Sequence, residues 1–143
     1  LLSVIALAAV WSFAAIATVS NDEVPEAVSH EGRPAVAEHV GNWLRTHKAS
    51  SDSGYMMCAA GHAYAYADID PPYRYLWFDG VHKAEGAQAE LEALFTGAHP
   101  PTWVAIFDEP RNCNGSGVVQ VALDDRYARV ATVDGVPILH LNP

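Results

Sequence analysis

Cysteine is nearly absent from this chain of 143 residues, occurring only as Cys58 and Cys113. Two cysteines are too few for a disulfide-built scaffold, yet they suffice for a single bridge in an oxidising compartment. Basic residues are also scarce: eight Lys and Arg against 17 Asp and Glu leave a formal charge of -9. That balance repels phosphate backbones and anionic headgroups, so nucleic acid is not an expected partner. None of the seven histidines forms an H-x₃-H pair or stands beside a C-x₂-C, so neither a metal nor another cofactor is expected. The nucleophile elbow of serine hydrolases is missing as well. Gly115-Ser116-Gly117 has Asn114, not glycine, two residues before the serine, and Ser116 reads instead as a helix cap.

Charge is wholly missing from Leu1 to Val19, whose polar residues are Ser3, Ser12 and Thr18. As a helix this stretch would rise roughly 28 Å, close to the ~30 Å hydrocarbon core of a bilayer. Residues 1–19 are therefore read as a transmembrane helix. The competing reading is a clipped signal peptide ending near Ala15-Ile16-Ala17, although the apolar run exceeds the roughly 7–15 residues of a signal core. Either way the remainder lies on the extracytoplasmic side. The start at Leu1, with neither Met nor a basic flank, suggests the last membrane helix of a longer protein. Residues 20–33 mix acids, Pro25 and Gly32 without periodicity and read as a linker.

Residues 34–143 hold enough chain for one domain with its own core. Pro34 opens a helix in which Val36, Val40, Trp43, Leu44 and His47 recur at steps of three and four, with cations near its end. Tyr55 to Ala60 is a short apolar run of strand length, and Gly61 to Ala67 a brief helix. Ala84 to Phe95 reads as a helix stopped by Gly97, Thr102 to Phe107 as a buried strand, and Val118 to Tyr127 as a helix capped by Ser116. Arg129–Val133 and Val136–Leu141 flank Asp134-Gly135, the signature of a two-residue hairpin. Helices alternating with strands predict a three-layer α/β domain: a small, mostly parallel sheet with a C-terminal β-hairpin.

Few motifs carry chemistry. Asp68-Ile69-Asp70 matches the short D-x-D pattern by which carboxylates hold a divalent ion against a diphosphate, but three residues are a weak motif and it is read instead as acids flanking a proline-rich loop. Cys58, near the end of the first strand, and Cys113, after the second, are candidates for a disulfide. Closing that loop of about 55 residues would contribute roughly 4 kcal/mol through the unfolded state. The segment Pro71-Pro72-Tyr73-Arg74-Tyr75-Leu76-Trp77-Phe78 packs four aromatics and an arginine where prolines forbid helix. Tyr73, Arg74, Tyr75 and Trp77 are the candidate substrate-binding residues, because rings beside a guanidinium can stack on sugar faces. The alternative is a loop whose aromatics plug the core.

The order AVAEHVGNWLRTH, PPYRYLW, AELEALFTG, PTWVAIF and YARVATVDGVPILHLN resembles the C-terminal extracytoplasmic domain of actinobacterial polytopic membrane glycosyltransferases. These are similar to the protein mannosyltransferase and aminoarabinose transferase group of the GT-C superfamily. The resemblance covers roughly Val36 to Asn142, with Leu1–Val19 standing for the last membrane helix. It implies transfer of a sugar from a polyprenyl-phosphate carrier to an acceptor outside the cytoplasm, with acidic catalytic residues in an early loop that this sequence does not include. No catalytic residue is carried over. The implied role is accessory, with the rest of the parent protein, the bilayer, and a carrier-linked sugar or acceptor glycan as partners. The alternative is a membrane-anchored or secreted binding module whose aromatic loop meets carbohydrate or protein.

Overall fold

A computed structural model describes residues 34–59, 61–76, 83–108 and 116–143, and Val36–Pro143 forms one compact unit. The expected membrane helix Leu1–Val19 and the linker after it lie outside the described residues. Among the described residues no helix is long and apolar enough to cross a membrane.

Pro34 begins α1 (Pro34–His47), where its fixed φ and missing N–H suit the first helical turn. Ala37, Val40, Gly41 and Leu44 form the buried stripe at the spacing an amphipathic helix requires. Strand β1 (Gly54–Met57) stops at Cys58, whose φ of 62° breaks the extended ladder expected to reach Ala60. Helix α2 (His62–Ala67) ends on Asp68 in the left-handed conformation. Helix α3 (Ala87–Thr96) starts three residues later than its apolar pattern suggests, because Gly86 takes a φ of 78°. Strand β2 (Trp103–Ile106) follows Pro100-Pro101, and α4 (Gly117–Arg126) runs straight into β3 (Tyr127–Val133), with β4 (Val136–Leu141) last.

The sheet has four strands in the order β1-β2-β4-β3. It is mixed, which corrects the expectation of a mostly parallel sheet. β1 and β2 are parallel, whereas β4 is antiparallel to both β2 and β3. The cause is the tight turn: Asp134 (φ 47°) and Gly135 (φ 82°) are both left-handed, the two-residue geometry that folds β4 back on β3. β4 then lies against β2, so the hairpin joins the sheet by its second strand.

Pleating divides the core in two. Met56, Trp103, Ala105, Val136 and Ile138 face one side, beneath α1 and α2. Tyr55, Met57 and Val104 face the other, beneath α3 and α4, where Leu91, Phe95, Val119 and Leu123 complete the packing. The three layers foreseen from the alternating elements are therefore present around a mixed sheet.

Two polar ties fix the second side. Ser116 Oγ accepts the Val118 N–H at 3.1 Å, capping α4, and donates to Glu92 Oε1 of α3 at 2.8 Å. Arg126, in the last turn of α4, donates to the carbonyls of Phe95 at 2.7 Å and Gly97 at 3.2 Å. Each end of α4 thus satisfies otherwise orphaned helix-terminal groups.

Candidate functional site

The aromatic segment is split by the fold. Tyr73 is buried in the core beneath α3, its ring edge-on to Tyr55 and its hydroxyl donating to the Ala87 carbonyl at 2.7 Å. Burial, with help from Glu90 and Tyr75, pushes its phenol up to about 12. This residue, proposed from the sequence as a substrate contact, anchors the loop with its ring buried in the core. Arg74 is exposed and turns to α3, where its Nε donates to Glu90 Oε2 at 3.1 Å and its Nη2 pairs with Oε1. Its guanidinium also sits 4.8 Å from the ring centre of the half-buried Tyr75. Trp77 lies outside the described residues.

Cys58 is engaged in a disulfide. Cys113, the other cysteine of the chain, lies outside the described residues. The D-x-D triplet is divided among local duties, with Asp68 ending α2, Ile69 buried against the first core and Asp70 exposed. Among the described residues no group of three or more His, Cys, Asp or Glu is placed to hold a metal ion. Three described histidines meet neighbouring side chains. His47 stacks on Trp43 at 3.8 Å, His140 meets Trp103 edge-on at 4.4 Å, and His39 pairs with Asp134 at the hairpin turn. Asp52 binds the Trp103 indole N–H and the Ala49 N–H, each at 2.9 Å. Desolvation opposes its charge, but these bonds, with His140 and Lys48 nearby, prevail and hold its carboxyl below the usual range.

A cleft with polar groups in its lining was not evident from the sequence. It has a volume of about 610 Å³ and opens where β2 ends, between α4 and the hairpin. Its floor is apolar, made by Ile106, Leu123, Pro137 and Leu139. Around it stand Asp108 just past β2, Gln120 and Asp124 one turn apart on α4, and Arg129 on β3, all exposed. Gln120 Nε2 donates to Asp124 Oδ1 at 2.8 Å, fixing the orientation of both. The mouth of an open α/β sheet at the carboxyl end of its parallel strands is where such folds commonly take ligands.

Arg129 lies two residues after Tyr127 in regular register, on the same side of β3, and a β-bulge follows it. Arg129 pairs with Leu139, yet Ala131 rather than Val130 pairs with Ile138, so one extra residue is inserted. Before the bulge, Tyr127 packs on the side of α4; after it, Ala131 and Val133 pack on the side of α1. An unbroken strand would have sent positions 127, 129, 131 and 133 to one side. The extra residue, Val130, is left 52% exposed.

No family model, curated protein or solved structure matches this chain.

Proposed function

We propose that this chain acts as an accessory extracytoplasmic domain of a polytopic membrane glycosyltransferase, one that uses a polyprenyl-phosphate sugar. The observation that carries the compartment is the disulfide at Cys58, since such bonds persist mainly outside the reducing cytoplasm. The apolar run Leu1–Val19 supports attachment to the bilayer. The enzyme class rests on the resemblance of the P-Y-x-Y-L-W, P-T-W-V and Y-x-x-V-x-x-V-x-G segments. In the fold these are the anchor loop around Tyr73, strand β2 and the hairpin, so the resembling residues coincide with the parts that define the architecture. The domain helps close or furnish the cavity of its parent and leaves catalysis to it.

The test is deletion of residues 36–143 from the complete reading frame, followed by assay of sugar transfer in membranes. Transfer is expected to drop while the remaining protein still inserts; undiminished transfer by an inserted enzyme refutes the accessory role. A membrane-anchored or secreted binding module is the second reading, favoured by the cleft beside α4. It is distinguished by reading the complete gene, where further hydrophobic segments before Leu1 favour the enzyme.

A further inference from the structure

We infer that the cleft between α4 and the β3–β4 hairpin is a binding site for an uncharged saccharide unit, with Asp124 and Arg129 as the principal hydrogen-bonding pair. The inference rests on the cleft itself and stands apart from the glycosyltransferase reading. A volume of about 610 Å³ lies in the usual range of small-molecule sites, roughly 300–1,000 Å³. Its chemistry narrows the ligand. Two carboxylates, at Asp108 and Asp124, disfavour a phosphate or carboxylate ligand, as does the chain's charge of -9. Arg129 on the opposite wall disfavours a simple cation.

What suits acceptors on one wall, a fork of donors on the other and an apolar floor is a neutral body with hydroxyls around its rim and C–H groups on its face. That is a sugar ring. Hydroxyls would donate to Asp124, whose orientation is held by Gln120 at 2.8 Å, and accept from Arg129; both are charge-assisted bonds. The ring face would rest on Ile106 and Leu139. The site lies apart from the Tyr75 and Arg74 surface that the sequence singles out.

The test uses the full chain in phosphocholine micelles, which carry no sugar, with backbone amide shifts recorded by NMR. Probes are methyl α-mannoside, maltose and arabinose, with glucose 6-phosphate and MgCl₂ as charged counterparts. A neutral saccharide is expected to cause saturable shifts at residues 106–108, 120–129 and 135–139. Asp124→Asn and Arg129→Ala should each weaken its binding about tenfold, the worth of one hydrogen bond to a charged group. Both side chains are exposed, so neither variant should lower the unfolding midpoint. Absence of saturable shifts with all three neutral probes overturns the proposal. So do shifts caused only by glucose 6-phosphate or Mg²⁺, or affinity unaltered in both cleft variants. None of these outcomes bears on the deletion assay, so the two readings fail separately.

Discussion

At Gly41 a single hydrogen decides how closely two helices approach. A β-carbon there would lie 2.4 Å from Tyr66 Cβ and 3.0 Å from the Ala63 carbonyl oxygen, inside the crossing of α1 and α2. Backbone cannot yield as a flexible side-chain tip does, so Gly41→Ala should destabilise by about 1–3 kcal/mol, measured by urea unfolding. Tyr64 is a second such residue, for its buried hydroxyl accepts the Met56 N–H at 3.0 Å. Burial raises Tyr64, Tyr73 and Tyr127 to about 12 and carries Tyr55 higher still. Between pH 10 and 12 the unfolded chain releases phenolic protons that the native state retains, so it binds fewer protons and stability falls as pH rises. For Tyr64 the slope approaches roughly 1.4 kcal/mol per pH unit. Urea midpoints should hold against these groups up to pH 9 and fall beyond pH 10, with a smaller fall in Tyr64→Phe. The sequence showed that the Tyr73 segment was unusual but not which ring would be buried. Likewise Asp108, Asp124 and Arg129 come from three separate parts of the chain, and no spacing announces that they line one cleft.

At the scale of elements, punctuation was legible and register was not. Pro34, Ser116 and Asp134-Gly135 act locally, on the dihedrals and orphan groups of their neighbours, so the starts of α1 and α4 and the hairpin turn could be read directly. Gly86 was overlooked as a break because its left-handed φ follows from the loop before α3. The bulge in β3 was hidden for a deeper reason: YARVATV reads as an ordinary strand, and only the competing demands of two cores call for the additional residue. Gly135→Ala should cost about 1–2 kcal/mol, because alanine pays for a left-handed φ that glycine takes freely. Deleting Val130 should lower the unfolding midpoint further. It forces either the Tyr127 end or the Val133 end of β3 to turn its apolar side chains outward. Arg126→Ala should cost about 1–2 kcal/mol by leaving the Phe95 carbonyl without its charged donor.

For the molecule as a whole, layer architecture followed from the alternation of elements and the reversal within the hairpin from Asp134-Gly135, while the hairpin's place in the sheet did not. Nothing in the order of β2, α4, β3 and β4 says which strand of the hairpin will meet β2; that choice depends on how both faces pack at once. The disulfide is testable at this scale. Without reductant, alkylation of the denatured chain should add no mass at Cys58 or at Cys113, and after reduction it should label both. Labelling of either in unreduced protein counts against their pairing. Helix α4 passes into β3 at Arg126 and Tyr127 with no intervening residue. Arg126 holds the end of α3, and the Tyr127 hydroxyl donates to the Pro101 carbonyl at 2.7 Å. With no slack at that joint, α4 and the first residues of β3 hold a fixed spacing, so the opening between Asp124 and Arg129 keeps its width while the rest of the domain flexes.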